Sequence, residues 1–542
     1  MNATPRDWQG LQNILFLLLI LTFCLYLPTL LHDAFADDEI YLAYMNRFLR
    51  QASWSDLYQL LLKPQNPWEF LPLRDFTYWL DFRIYGDEPN GFHATNLVWY
   101  AASGFASFWL FRELILLCRP EWATRASVLS MCGALLFVAH PAHVEVAAWI
   151  ASRKDLIAGT FGLFSLAMLA RAIRRDWPFR EIALAALLLF TACFGKAAAM
   201  TNILFVTVLI VGCFSSEISR ARKINTLFLF WALVAVAFLI HLKVGETSGI
   251  RIENHPGLFL MLERASRIVT AQIGILLFPY PLHFYYDVYR IGDWHWLVSV
   301  SAMMLLLVSL YVSLKRQSLW ALGFILALTP LVIYLQVMPF TTWSLASERF
   351  VFVPVAGLAL VLLELFGRMG RPKIIGGLLL LIVIPCALVV WSRIDEWGSR
   401  KTLLDREYEL QPDFHNAIRD RIGFTLLPEK RYVEAETLAR KVPRLYASEA
   451  LLSLVDAEQS YRQMSDAKGG ASDKETEALR LNFCGAVVKL QSATRNGYAN
   501  IPAEPDVSYN NILRTLDQIL KYHFADAKTL CVGGITGSAN KS

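Results

Sequence analysis

The chain has 542 residues, of which 55% are hydrophobic and only 18% charged, with a net charge of +5 and a mean hydropathy of +0.40. A soluble protein carries about a quarter charged residues; the deficit here falls in long apolar runs, which argues against a purely soluble enzyme. The small basic excess lies in short loops between those runs, a distribution that suits membrane orientation better than nucleic-acid binding.

Apolar windows of about 17–25 residues read as spanning helices. They fall at approximately 11–31, 92–116, 124–139, 155–173, 181–195, 198–215, 225–241, 296–314, 319–336, 350–367 and 374–392. The first run is too long for the core of a cleaved signal peptide and lacks a small-residue cleavage motif before Asp33, so it reads as a retained anchor. Three adjacent carboxylates follow it, Asp37, Asp38 and Glu39. The loop over 32–91 holds the helix-compatible stretches EIYLAYMNRFLRQ and WSDLYQLLL, punctuated by Pro64, Pro67 and Pro72. Its Trp54, Trp68 and Trp79 are expected at the membrane interface.

Basic residues alternate between loops. Arg119 and Arg125 form the first group, Arg171, Arg174, Arg175 and Arg180 the second, and Arg220, Arg222 and Lys223 the third. Lys315 and Arg316, then Arg368, Arg371 and Lys373, complete the series. The positive-inside rule places these loops and the N-terminus in the cytoplasm. Residues 256–283 are apolar but interrupted by Glu263, Arg264 and Arg267; reading them as an interfacial or re-entrant helix on the outer face keeps the alternation intact. From about residue 393 the composition becomes that of a soluble helical module. The stretch LLDREYELQPDFHNAIRDRIGFTLLPEKRYVEAETLARKV has the spacing of a tetratricopeptide-like helix pair. Cys484 and Cys531 lie in this tail and would pair in an oxidising compartment. The expected architecture is an all-α polytopic membrane protein with a transmembrane domain over 1–392. A helical extracytoplasmic domain over 393–542 completes it, and the last residues have a disordered composition.

The orientation gathers the polar residues of the apolar half on the outer face. Asp37-Asp38-Glu39 there is either a solvated helix cap or a general base whose neighbours raise its pKa. His140-Pro141-Ala142-His143-Val144-Glu145 follows the third window, and Arg153, Lys154 and Asp155 open the fourth. The HxxH spacing is short for zinc, so a hydrogen-bonded supporting loop is the stronger reading of His140, His143 and Glu145. Arg153-Lys154 departs from the positive-inside trend, as expected where a functional anion binds. Arg74 beside Asp75, Lys196 in the turn ACFGKAAAM, and Arg349 beside Glu348 add cations at the same depth. Singly, each is a snorkelling or salt-bridged side chain; together they suit phosphate binding. A divalent cation is compatible with the acidic triplet, but nothing in the sequence requires one. The chemistry that follows is transfer from a lipid-linked phosphosugar, with a carboxylate near Asp38 taking the acceptor proton and phosphate as leaving group.

The ordered series DDEIYL, LPLRDFTYWLDFRIYGDEPNGFHATNLVWYAA and HPAHVEVAAWIASRKDLIAGTFGLFSLAML resembles the transmembrane and tetratricopeptide-repeat O-mannosyltransferase family and its bacterial relatives. These belong to the GT-C superfamily of glycosyltransferases. The Lys196 turn, LLFPYPLHFYYD and ERFVFVP extend the similarity over most of residues 10–395. The resemblance implies a GT-C bundle, a catalytic acid at Asp37 or Asp38, a polyprenyl-phosphate sugar donor and a hydroxyl acceptor, often protein Ser or Thr. It also implies a multi-pass protein of the bacterial inner membrane. Where the family has a Glu soon after the turn Lys, this chain has Ala197 and Ala198, and its tail is shorter than the family's repeat arrays. Two other readings stand beside this one: the same donor with a glycolipid or cell-envelope polymer acceptor, and a transporter or assembly protein without catalysis. A transporter is expected to show paired halves with broken helices at mid-membrane, and no such repeat is visible.

Overall fold

The computed structural model describes residues 5–32, 46–65, 69–212, 218–248, 257–316, 318–337, 344–442, 448–467, 473–499, 520, 524 and 531. Among these the ordered elements are helical and none is a strand. Each of the eleven apolar windows overlaps a helical stretch among the described residues. Among the described residues six helices are long and apolar enough to cross a membrane: Pro89–Cys118, Ile150–Arg174, Arg220–Val244, His295–Lys315, Glu348–Met369 and Pro372–Glu396. A seventh candidate is the pair Pro120–Val138 and Pro141–Ala148, bent by 63°. The bend falls at His140, whose ψ of 123° is extended, because Pro141 lacks an N–H and disfavours a helical residue before it. The windows near the first, sixth and ninth positions are shorter apolar helices, Phe16–Leu31, Ala197–Val211 and Leu319–Leu335.

The helices used below are α1 (Pro5–Tyr26), α2 (Pro72–Tyr85), α3 (Pro89–Cys118), α4 (Ala126–Val138), α5 (Val144–Ala148), α6 (Arg153–Arg174) and α7 (Phe179–Gly195). They continue as α8 (Asn202–Val211), α9 (Arg220–Ser248), α10 (Leu258–Leu277), α11 (His295–Lys315), α12 (Leu319–Leu328), α13 (Phe352–Met369) and α14 (Pro372–Glu396). The tail holds α15 (Arg400–Leu410), α16 (His415–Asp420), α17 (Tyr432–Lys441), α18 (Ser448–Asp466) and α19 (Asp473–Ala499).

The centre of the bundle is α3 against α6, α6 against α7, and α12 against α13. Its core includes Tyr100, Phe108, Phe111, Phe137, Leu166 and Leu360, all buried. In α3, α6 and the Glu348–Met369 helix, charged or amide side chains mark both ends of an uncharged stretch. The pairs Asn96 and Glu113, Asp155 and Arg171, and Arg349 and Glu364 are 15–17 residues apart, about 22–26 Å of helix rise. At one end Glu113 receives Arg174 at 2.7 Å and Arg112 at 3.3 Å, while Glu364 receives Arg119 at 2.6 Å and Arg368 at 2.8 Å. Of these, Arg119, Arg174 and Arg368 are basic residues that the alternation assigns to inner loops. The other end carries the candidate site.

Three helices have little protein around them. Only 17% of the apolar window of α9 is buried, and 11% of each of those of α11 and α14. Their exposed Phe228, Leu239, Met303, Leu307 and Leu381 form apolar surface too extensive for water and suited to lipid.

The loop before α2 differs from the interfacial layer expected of it. Trp79 is fully buried and donates from Nε1 to the Ala52 carbonyl at 2.8 Å, because α2 packs its face against residues 49–60 and against Phe92. Trp54 is exposed and meets Trp79 edge-on at 4.6 Å, and Trp68 lies outside the described residues. Within the segment read as interfacial or re-entrant, Leu258–Leu277 form one continuous helix, α10, which packs on α11 and on 329–335 and 348–351. Arg267 pairs with Glu263 at 2.7 Å along it.

In the tail, α17 packs on α18 and α18 on α19. Ile422, Leu426, Leu438, Leu451, Leu454, Phe483 and Leu490 form a core separate from that of the bundle. Cys484 and Cys531 are joined by a disulfide, with Cα atoms 5.7 Å apart. The loop between α10 and α11 holds the tail against the bundle. Tyr285 Oη donates to Asp420 Oδ2 at 2.7 Å and accepts from Arg419 at 3.0 Å, and the Phe284 N–H donates to Glu407 at 2.7 Å. Gln411 Nε2 donates to the Tyr285 carbonyl at 2.8 Å.

Candidate active site

Asp37, Asp38 and Glu39 lie outside the described residues. The remaining candidate residues come to the same end of the bundle, carried by α2, the bend before α5, the start of α6, the end of α7 and the turn before α13. Each placement has a local cause. Pro72 at the first turn starts α2 and sets Arg74 and Asp75 on it. Gly195 lets the end of α7 touch α6, since a Cβ there would lie 2.9 Å from the Ala158 nitrogen. That approach brings Lys196, in extended backbone, onto the first turn of α6, where Nζ donates to Asp155 Oδ1 at 2.6 Å.

The cations fall into two groups. Arg74 is 1% exposed and committed: Nε and Nη2 reach Asp75 Oδ1 at 2.9 and 2.8 Å, and Nη1 reaches Glu69 at 2.8 Å. Arg153 is also fully buried. It donates to Asn96 at 2.7 Å, to the Phe92 carbonyl at 2.8 Å and to Asp81, and lies 4.6 Å over the Tyr78 ring. Its position corrects the expectation that it presents its charge to a phosphate: it ties α6 to α2 and α3 instead.

Lys154, Lys196 and Arg349 are different. Lys154 donates to Glu69 at 2.5 Å and is 15% exposed. Lys196 is 16% exposed, beside the stacked rings of Tyr334 and Phe350 at 5.4 and 5.2 Å. Arg349 donates through Nη1 to Glu145 and to Ser347 Oγ at 2.8 Å, over the Trp149 ring at 5.3 Å. Each of the three retains N–H donors without a hydrogen bond among the described contacts.

The carboxylates explain how these cations are held. Glu145 accepts from Ser347 Oγ at 3.0 and 2.9 Å, from the Arg349 N–H at 2.8 Å and from its guanidinium. It therefore clamps the turn before α13 to α5. Glu69 is shared by Arg74 and Lys154. Burial pushes its carboxyl up, but Lys154, Arg74 and Lys196 outweigh burial and hold it at about 2. Asp75, more deeply buried, is raised by that burial in spite of Arg74. Glu348 pairs with Arg393 of α14.

The histidines have structural partners. His140 Nδ1 accepts from the Ala142 N–H at 3.3 Å, which leaves the proton on Nε2 to donate to the Leu276 carbonyl of α10 at 3.1 Å. His143 Nδ1 meets Tyr100 Oη at 3.1 Å, and its ring packs between Phe137 and Phe352 at 4.6 and 4.8 Å. Among the described residues no group of three His, Cys, Asp or Glu side chains is arranged to hold a metal ion.

Sequence reasoning missed Glu69, the acid between Arg74 and Lys154, and Asp81, the partner of Arg153. Glu69 lies five residues before Arg74 in a polar loop, a signal too general to single it out. It also missed the aromatic wall of Trp149, Phe284 and Trp397, whose centroids lie 5.7–6.2 Å apart. This wall joins Arg349 to the loop that holds the tail.

No family model matches the chain, and no solved structure matches it. The chain is similar to a protein O-mannosyl-transferase of Caenorhabditis elegans, 23% identical over 348 residues, covering 62% of this chain and 48% of the worm protein. The matched stretch thus spans about half the length of the curated relative.

Proposed function

We propose that the chain is a GT-C-type membrane glycosyltransferase that moves a sugar from a polyprenyl-phosphate donor to a hydroxyl, with a protein Ser or Thr as acceptor. The observation that carries this reading is the convergence of Lys154, Lys196 and Arg349, each with N–H donors to spare, at one end of the bundle. The similarity to an O-mannosyl-transferase supports the transfer of a sugar.

In this reading Lys154, Lys196 and Arg349 hold the donor phosphate, and Arg74 acts through Glu69 to position Lys154. His140, His143, Glu145 and Asp155 hold the site together, while Arg153 and Glu348 brace it from behind. Asp37 or Asp38, with Glu39 beside them, takes the proton of the acceptor hydroxyl. The acceptor oxygen attacks the anomeric carbon as the carbon–oxygen bond to phosphate breaks. The electron pair leaves with the polyprenyl phosphate, where the three cations stabilise the growing charge. A single displacement inverts the anomeric carbon.

The alternation of basic loops supports about eleven spans, a cytoplasmic N-terminus and an extracytoplasmic site; a bacterial inner membrane is what the family resemblance implies. The disulfide between Cys484 and Cys531 supports an oxidising side for residues 393–542, read as a tetratricopeptide-like module that presents the acceptor.

The test is transfer in membranes from a panel of polyprenyl-phosphate sugars, by wild type, Asp37→Asn and Asp38→Asn. A general base contributes about 10²–10⁴-fold, so one variant loses transfer by at least about 100-fold. Full transfer by both refutes the base assignment. Label appearing in lipid instead of protein would move the acceptor to a glycolipid or envelope polymer.

A further inference from the structure

Two buried polar atoms beside the proposed donor site have no hydrogen-bond partner among the described residues: Asp155 Oδ2, an acceptor, and Trp149 Nε1, a donor. Their residues are 5% and 6% exposed. A polar atom left unpaired at that depth bears its full desolvation penalty, so native structures rarely keep one without a use.

Both residues are held firmly by other contacts. Asp155 is fixed through its first oxygen, which accepts from Lys196 at 2.6 Å. Trp149 lies under the Arg349 guanidinium at 5.3 Å and against Phe284 and Trp397. Phe350 joins the two, since Lys196, bonded to Asp155, and Arg349, over Trp149, lie 5.2 and 5.0 Å from the centre of its ring. The residues of the unpaired acceptor and the unpaired donor therefore each hold one of two neighbouring cations.

A ligand that satisfies this set must accept from Lys196 and Arg349, donate to a carboxylate oxygen and accept from an indole N–H. A phosphate alone serves the cations and has no hydrogen for Asp155 once ionised. A polyol ring attached to a phosphate serves all four, because each hydroxyl both donates and accepts. We propose that Asp155 Oδ2 and Trp149 Nε1 hydrogen-bond hydroxyls of the transferred sugar and so select which sugar is used. The proposal rests on the glycosyl-phosphate donor reading above.

The test uses the full chain in membranes, the best donor of the panel and its monodeoxy analogues, with wild type, Asp155→Asn and Trp149→Phe. Asp155→Asn keeps an oxygen for Lys196 and turns the unpaired acceptor into a donor; Trp149→Phe keeps a ring beneath Arg349. A hydrogen bond to a charged group corresponds to about 10- to 100-fold. Wild type should therefore disfavour at least one deoxy donor by about that factor. Asp155→Asn should bring that one ratio towards unity and leave the others unchanged. Trp149→Phe should relax discrimination at its own hydroxyl, by a smaller factor, and it keeps the proposal testable if Asp155→Asn does not fold. If each variant slows all donors by the same factor, the two residues only hold Lys196 and Arg349 in place and the assignment is overturned. If wild type uses no donor of the panel, the donor reading itself falls, and the assignment with it.

Discussion

Arg153 and Lys154 are neighbours in sequence, and their substitution is expected to have opposite consequences. Truncating Arg153 to Ala leaves Asp81, 2% exposed, with only the Thr95 hydroxyl at 2.7 Å as a described hydrogen-bond partner. It also strips the Asn96 side-chain oxygen and the Phe92 carbonyl of their guanidinium contacts. Removing one member of a buried ion pair costs about 3–5 kcal/mol. Lys154→Ala leaves Glu69 31% exposed and still bonded to Arg74 at 2.8 Å, a loss in the range of about 0–1 kcal/mol for a partly exposed pair. The two variants should thus differ by at least about 2 kcal/mol in stability, while Lys154→Ala carries the larger loss in donor binding per folded molecule. Unfolding titrated with SDS in detergent micelles measures the first quantity, and donor concentration dependence in membranes the second. Equal stability of the two variants would refute the assignment of Arg153 as the brace between α6, α2 and α3. Full donor affinity in Lys154→Ala would refute the assignment of its neighbour to the phosphate.

Three further outcomes follow from the same contacts. Glu69 is held at about 2 in the folded chain against an ordinary 4.5. Its contribution to stability is therefore complete above about pH 4.5 and is lost as pH falls towards 2. The difference in unfolding free energy between wild type and Glu69→Gln should shrink across that window, and a constant difference would contradict the ion pairs drawn to it. The disulfide closes a separation of 47 residues, for which chain entropy gives about 4 kcal/mol. Reduction, or Cys484→Ser, should sharply lower the unfolding transition of the tail and leave that of the bundle unchanged, as read by domain-resolved proteolysis during heating. Tyr285→Phe removes the hydroxyl between Asp420 and Arg419, a hydrogen bond to charged groups worth about 1.5–3 kcal/mol. Limited proteolysis should release the tail faster from this variant, and an unchanged rate would show that Glu407 and Gln411 suffice.

The apolar windows were legible because charge and apolarity alternate over distances set by helix rise. In α3, α6 and the Glu348–Met369 helix the uncharged stretch is bounded at both ends by residues that the sequence displays directly. The clustering of Lys196, Arg349 and Lys154 followed from the same alternation. What was not legible depends on rotation and on partners distant in sequence. Arg153 and Lys154 differ by about 100° around the helix, enough to send one into the core against α2 and α3 and the other towards Glu69. Trp79 resembles an interfacial residue until the short turns of 47–62 cover it. His140 and His143 read as part of a supporting loop, but their partners, the carbonyl of Leu276 and the hydroxyl of Tyr100, lie too far off in sequence to be named from it. The pairing of Cys484 with Cys531 was equally a matter of distance in space, which spacing along the chain does not encode.

The most direct measurement of the central claim is sugar transfer by the purified chain in proteoliposomes, comparing wild type with Lys154→Ala/Lys196→Ala and with Arg112→Ala at the opposite end of the bundle. The account expects transfer from a polyprenyl-phosphate sugar by wild type and by Arg112→Ala, and a loss of at least about 100-fold in the double variant if each lysine supplies one charge-assisted contact to the phosphate. Equal transfer by all three proteins would contradict the placement of the donor phosphate at this end of the bundle.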